Sequence, residues 1–312
     1  MGNKWDICVQ TGNWYDELFG GDKGADEAFR FIKSCGIDTL DYNIDHTLPG
    51  GLIRKGERND FYDADIATLL EYYRPIKEVA EKNGVRFGQA HAPFPLYVPD
   101  CDELNEYLIM VIEKECAICQ YLGCPALVVH PYTNTADKAL EREINLSMYR
   151  KMIPAGKKYG VKLCLENMFA HVEGHLVGGA CAEATEAVWY IDTLNAEAGE
   201  DVFGYCFDVG HANLTARNVR EELRILGHRL TILHIHDNDA CSDLHTIPYF
   251  RGKNSHVDWE GVLAGLRDIN YCGTLSFETF AALRGIPHEL YPSFLRVVHD
   301  VGVYFQKRLA EG

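Results

Sequence analysis

The chain has 312 residues, 47% of them hydrophobic and 24% charged, and carries a formal net charge of −16. That length allows one large domain or two small ones with ample core, and the acidic balance argues against nucleic acid as a partner, because phosphates are met by clustered Lys and Arg. Met1-Gly2-Asn3-Lys4-Trp5-Asp6 lacks the basic region and apolar run of a secretory leader, and no apolar run approaches bilayer length, so a cytoplasmic chain without membrane association is expected.

In chain order, short strand-like runs alternate with longer helical patterns. Residues 5–11 read as a first strand and 25–35 as its helix, stopped at Gly36. The second pair is 39–43 and 65–83, closed by Asn83-Gly84; the third is 86–93 and 103–122, closed by Gly123. The fourth is 126–131 and 138–159, closed by Gly160, with Pro154 as a kink. The fifth is 162–168, a Gly-rich loop, then 182–197. The sixth is 203–212 with 219–226, the seventh 230–238 with a long loop and 258–269, the eighth 273–280 with 288–309.

Strand-then-helix units without a linker make all strands parallel, and eight of them close a (β/α)₈ TIM barrel spanning residues 1–312 as one α/β domain. A doubly wound open sheet would need a Gly-rich phosphate turn after its first strand, and Gln10-Thr11-Gly12-Asn13 is not one. The 11 cysteines lie scattered in apolar segments and read as buried free thiols; Cys116-x-x-Cys119 sits inside a helical pattern without a second pair.

Barrel chemistry collects at the carboxyl ends of the strands, and those ends are strongly polar here. His91, His130, Glu166, Asp208, His234, His236 and Glu278 stand in turn along strands three to eight, with His211 three residues beyond Asp208. Alternation puts Cys206 with Asp208 and His234 with His236 on one face, leaving Phe207 and Ile235 for the helices. Each residue alone has an ordinary reading: a hydrogen-bonded core histidine, a helix-capping Glu, a turn-forming Asp. Together, carboxylates converging on one barrel mouth repel one another, and a divalent cation is the simplest compensation.

His-Ala-Pro at 91–93, His-Pro at 130–131, Leu-Glu-Asn at 165–167, Asp-x-x-His at 208–211, His-x-x-Asp at 234–237 and Glu-Thr at 278–279 form an ordered set, extended by Asp258-Trp259 and Tyr271-Cys272-Gly273. Over nearly its full length the chain resembles the sugar isomerase/epimerase superfamily with the xylose isomerase-like barrel, which also holds ketose 3-epimerases, inosose dehydratases and endonuclease IV. The resemblance implies one divalent metal ion held by Glu166, Asp208, His234 and Glu278, with Mn²⁺ favoured over Mg²⁺, Co²⁺ or Zn²⁺. Spacing to Asp237 prefers His234 to His236 as the ligand. His211 is expected beside the substrate, and His91, His130, His236, Asp243, His245 and Arg251 complete the substrate-binding set.

The chemistry that best uses such a ring is proton transfer next to a carbonyl: an ion on adjacent oxygens of a ketose acidifies the C–H between them, and an enediolate forms. Glu166 and Glu278, on non-adjacent strands, are the expected catalytic bases for epimerisation or isomerisation. A lyase or dehydratase acting on a keto-sugar, inosose or 3-keto-glycoside would use the same opening step. An endonuclease IV-like zinc nuclease would need His91, His130, Glu166, Asp208, His211, His234, Asp243, His245 and Glu278, all present, but the charge opposes it. A non-catalytic sugar-binding barrel is the third alternative. Only Arg251, Lys253 and Arg284 are candidates for a phosphate clamp, so the reading leans to an unphosphorylated sugar. Trp14, Tyr15 and Phe19, with residues 171–175, are candidate walls, and a homo-oligomer is compatible with the sequence.

Overall fold

In the computed structural model, which describes residues 5–250, 252 and 256–311, eight strands line up in parallel. They are β1 (Ile7–Gln10), β2 (Thr39–Tyr42), β3 (Arg86–His91), β4 (Ala126–Val129), β5 (Lys162–Glu166), β6 (Phe203–Asp208), β7 (Leu230–His234) and β8 (Leu275–Phe277). Pairing runs β8-β1-β2-β3-β4-β5-β6-β7. A parallel bridge from Ile235 to Phe277 brings β7 to β8, with the Ile235 N–H donating to Ser276 at 2.8 Å and the Glu278 N–H to Ile235 at 3.1 Å. The result is a nearly closed (β/α)₈ barrel.

The surrounding helices are α1 (Ala25–Ser34), α2 (Ile66–Asn83), α3 (Asp102–Leu122), α4 (Lys138–Tyr159), α5 (Ala184–Ala198), α6 (Val219–Leu226), α7 (Trp259–Asp268) and α8 (Tyr291–Ala310). Their ends follow local chemistry. Asp65 caps α2 by accepting the Thr68 N–H at 2.8 Å, and Gly84 closes that helix at φ 62, a conformation that penalises a Cβ. No helix of the described residues is long and apolar enough to cross a membrane.

Side chains pointing out of the strands, among them Val9, Leu40, Leu165, Phe207, Leu233 and Phe277, join the helices in the main core. Inside the barrel, Ala126, Val128, Cys164, Cys206 and Ile232 form a separate plug of modest side chains below the polar mouth. Two bulges set which residues face inward. Between β2 and β3 the register passes from Leu40↔Phe87 to Asp41↔Gln89, so Gly88 is the extra residue, and Gln89 and His91 turn inward although Phe87 packs outward. Between β6 and β7 it passes from Tyr205↔Leu230 to Cys206↔Ile232, and Thr231 is the extra residue that re-aims Ile232 and His234 into the barrel.

Several segments differ from the sequence expectation. The first loop contains a helix, Gly12–Phe19, whose Trp14 and Tyr15 are buried against Phe31 and Phe29. The Gly-rich fifth loop is a β-hairpin, Phe169–Val172 paired with His175–Gly178. A 3₁₀ turn, His288–Leu290, precedes α8, whereas α4 has the expected span with Pro154 inside it.

Candidate metal centre

At the carboxyl ends of the strands, His234 is the hub. Its ring is buried, and Nδ1 lies 3.3 Å from Glu166 Oε1, 3.5 Å from Glu278 Oε2 and 3.8 Å from Asp208 Oδ2. Three carboxylates from β5, from just beyond β8 and from β6 thus converge on one imidazole nitrogen. On the other side of the ring, Nε2 faces Asp41 Oδ2 at 3.7 Å, and the His91 ring stacks on it with centroids 4.7 Å apart.

Each carboxylate is held differently. Asp208 Oδ1 accepts the His211 backbone N–H at 2.6 Å, and His236 Nε2 sits 3.0 and 3.1 Å from its two oxygens. Asn167 fixes the backbone there, donating to the Asp208 carbonyl at 2.8 Å and accepting its N–H at 2.7 Å. Glu166 turns Oε1 toward His234 and Oε2 toward His130 Nε2, 3.0 Å away. Glu278 turns Oε2 toward His234, while Oε1 accepts Gln10 Nε2–H at 2.8 Å and lies 3.7 Å from His91 Nε2. In both glutamates one oxygen looks at the hub and the other away from it.

His236, fully buried, is seated by a glycine: a Cβ on Gly210 would come within 1.9 Å of its Cε1. Its other face stacks on His245 at 3.9 Å. His245 and Asp243 return to the mouth because Asp237 pins the long seventh loop. The Asp237 and Thr246 backbones pair, and Asp237 Oδ2 accepts the Tyr249 N–H and the Trp259 indole N–H, both at 3.2 Å. Asp243 Oδ2 then lies 3.0 Å from His245 Nε2 and 3.6 Å from His211 Nε2.

The electrostatics express a shortage of positive charge. Burial by itself would lower the pKa of each histidine, yet Asp208 leads the groups that raise His211 to about 10, Asp41 those that raise His91 to about 9, and Glu278 those that raise His245 to about 9. Burial would likewise raise the carboxylates. His234 and His130 nevertheless hold Glu166 well below its ordinary range, and His211 and His236 hold Asp208 below its own. Protons gather where a cation would serve, and the oxygen-rich donor set with one imidazole suits a hard or borderline divalent ion.

All of the strand-end residues singled out in the sequence therefore meet at one mouth, together with His211, Asp243 and His245. Arg251 and Lys253 lie outside the described residues. Trp14 and Tyr15 pack in the core rather than lining the mouth, and His171 and His175 are exposed on the hairpin, whose site contact is Phe169 at its base, 4.9 Å from the His211 ring. Cys116 and Cys119 are buried in α3. Sequence reasoning missed Asp41, which lies 2.9 Å from His91 Nδ1 and accepts Gln89 Nε2–H at 2.9 Å; it also missed Gln10. Alternation within Thr39-Leu40-Asp41-Tyr42, with Leu40 and Tyr42 apolar, was the available signal for Asp41.

Comparison with known proteins agrees with this architecture. A family model described as a xylose isomerase-like TIM barrel matches residues 29–296. Uncharacterized protein y4fM of Sinorhizobium fredii is 22% identical over 297 residues, covering 89% of this chain and 88% of that one. The structure of a D-psicose 3-epimerase in the presence of D-fructose superposes with a TM-score of 0.66 at 14% identity, over 97% of this chain and 99% of the other. That of 3-keto-D-glucoside 4-epimerase from E. coli, apo form, gives 0.66 at 17%, over 95% and 100%. At these identities the two solved structures speak to the fold.

Proposed function

The chain belongs to the xylose isomerase-like TIM barrel family, and on that premise we propose that it is a divalent-metal-dependent sugar isomerase or epimerase acting on a ketose or keto-sugar. The observation that carries the reading is the convergence of Glu166, Asp208 and Glu278 on His234 Nδ1. Those four side chains would hold the ion, Mn²⁺ in first place. His236 is committed to Asp208, which makes it a support rather than a ligand. An ion there supplies the charge that lets the carboxylates share one site and that acidifies a C–H beside a carbonyl.

The protein's own residues divide the remaining work. Glu166 Oε2 and Glu278 Oε1 are the oxygens turned away from the hub, and they are the ones able to take a proton from carbon and return it. His130 beside the first, and Gln10 with His91 beside the second, steady each carboxylate. His211 Nδ1 donates to the Asn167 carbonyl at 2.8 Å, which fixes the ring, and Nε2, 3.6 Å from Asp243 Oδ2, is the nitrogen at the mouth that would meet a substrate hydroxyl. Epimerase names among the structural neighbours, D-psicose 3-epimerase and 3-keto-D-glucoside 4-epimerase, support a keto-sugar as substrate.

With an accepted keto-sugar and Mn²⁺ in D₂O, the product should carry deuterium at the carbon next to the carbonyl. Turnover without any solvent label, under conditions that exclude internal return, would point to hydride transfer and remove the enediolate mechanism. A second reading, the zinc nuclease, is favoured by one feature: ligand atoms of His211, His236, Asp243 and His245 lie within 4.8 Å of one another, enough for another ion. The net charge of −16 weighs against it, and incision of a duplex containing an abasic site is the discriminating assay.

A further inference from the structure

The rim of the mouth carries two arginines that the acidic chain leaves without a carboxylate. Many guanidinium groups elsewhere are placed on acids, among them Arg86 on Asp6, Arg150 on Glu197, Arg229 on Asp192 and Arg308 on Glu260. Of the described arginines without such an ion pair, Arg267 and Arg296 belong to the outer helices α7 and α8, while Arg54 and Arg284 stand in loops at the mouth. Each of the latter two lies over a phenylalanine of the mouth. Arg54 Cζ is 5.3 Å from the Phe94 ring centroid, and Arg284 Cζ is 5.4 Å from that of Phe280. A cation over a ring is positioned by the contact, but its charge is not neutralised.

Both rings in turn lie on histidines of the site. Phe94 is 4.8 Å from the His130 ring, whose Nε2 is 3.0 Å from Glu166. Phe280 is 4.5 Å from the His245 ring, whose Nδ1 is 3.6 Å from Glu278. One ring and one imidazole therefore separate each of these guanidinium groups from one of the two glutamates assigned to proton transfer. The placement of Arg54 is built into the fold. A Cβ on Gly50 would come within 2.1 Å of the Phe94 carbonyl oxygen, so this glycine lets the second loop, which carries Arg54, close on the third, which carries Phe94. Gly12, whose Cβ would meet the Phe280 Cβ at 3.2 Å, gives the eighth loop a similar seat.

Resting on the isomerase or epimerase reading, we infer that the substrate is a keto-sugar bearing a terminal carboxylate or phosphate, bound at the rim by Arg54, with Arg284 as a second contact. A planar fork of N–H donors matches either anion, and a positive rim offsets the repulsion that Glu166, Asp208 and Glu278 would exert on an approaching anion. A phosphate would depart from the unphosphorylated sugar favoured by sequence, and a carboxylate would not; Arg54 stands in no motif.

The test compares binding of a six-carbon sugar acid, a sugar phosphate and the matching neutral alditol to the Mn²⁺-loaded protein by calorimetry, alongside turnover of the corresponding keto-sugars. At least one anionic ligand should bind about ten-fold or more tighter than the alditol, consistent with a charge-assisted contact. Which anion does so distinguishes the two sources. In Arg54→Gln, and more fully in Arg54→Gln/Arg284→Gln, that ratio should collapse toward one. Equal binding of acid, phosphate and alditol by the wild type overturns the inference while leaving the reaction intact. A preference that persists in the double variant also overturns it, since the anion would then be read by the ion. If no keto-sugar turns over yet anion binding remains arginine-dependent, the assigned reaction falls and the rim site stands.

Discussion

Gly210→Ala isolates one packing relation on which the metal centre depends. Gly210 lies in the short helix Val209–Leu214, where alanine would ordinarily be the better residue by about 1 kcal/mol. Against that gain, the new methyl would sit 1.9 Å from His236 Cε1 and 2.5 Å from Nδ1, and His236 has no exposed surface into which to move. It is held behind by the His245 ring and in front by Asp208. Overpacking of this kind costs about 1–3 kcal/mol, and loss of a hydrogen bond to a charged group about 1.5–3 kcal/mol more. The clash therefore wins, with a net loss of about 2–4 kcal/mol, and thermal unfolding should fall by several degrees. Because His236 orients Asp208, Mn²⁺ affinity should fall about 10–100-fold as well. Calorimetric melts with and without Mn²⁺, plus a binding isotherm, measure both. A variant as stable as wild type, or one destabilised with unchanged affinity, would refute the claim that His236 positions Asp208.

Other consequences follow from features outside this contact. Asp22 leads the groups that raise His46 to about 9 despite the lowering effect of burial, with Nε2 and Oδ2 3.4 Å apart. The stabilisation is therefore complete below pH 6.5 and lost as pH rises through about 9, on the order of 1–2 kcal/mol after screening; His46→Gln should flatten that part of the wild type's stability profile, and an unchanged difference across the window would contradict it. Asp237→Leu should free the seventh loop by removing the acceptor for the Tyr249 and Trp259 N–H groups. Proteolytic nicking between residues 238 and 250 should then appear before global unfolding, and equal resistance would show that the loop is held by other contacts.

How much of this was legible depended on the range of the interaction. Alternation and glycine punctuation are local, so the eight units and the inward face of Asp208 could be read directly. The facing of His91 could not be derived from the strand alone. Phe87, Gln89 and His91 share one parity, yet Phe87 packs on the helices and His91 faces the mouth, because Gly88 is bulged against β2. His234 depends in the same way on the extra residue Thr231. Trp14 and Tyr15 read as wall residues because a loop was expected, and the helix that buries them is decided by packing against α1. The seat of Arg54 rests on Gly50 meeting a carbonyl more than forty residues away, a contact with no trace in composition or spacing.

The three carboxylates at His234 are not equivalent, and amide substitutions separate them. Both Asp208 oxygens are taken up by donors, the His211 N–H and the His236 ring, in addition to facing the hub. An amide there must turn its own N–H₂ toward a donor, leaving buried donors unpaired and one ligand oxygen lost. Asp208→Asn should therefore lose Mn²⁺ affinity by well over ten-fold and destabilise the fold by about 1–3 kcal/mol. Glu278 faces the hub through Oε2 alone, while Oε1 meets Gln10. In Glu278→Gln the amide oxygen can keep the hub position while its N–H₂ faces Gln10, whose own amide can turn to present its oxygen, as the His211 backbone N–H at Asp208 cannot; Mn²⁺ binding should remain within about ten-fold while proton exchange with substrate is abolished, because the base is gone. Mn²⁺ binding followed by electron paramagnetic resonance, with deuterium exchange in the same samples, reads the two properties independently. If Asp208→Asn binds Mn²⁺ as tightly as Glu278→Gln, the distinction between an oxygen committed to holding the ion and an oxygen free for chemistry does not hold.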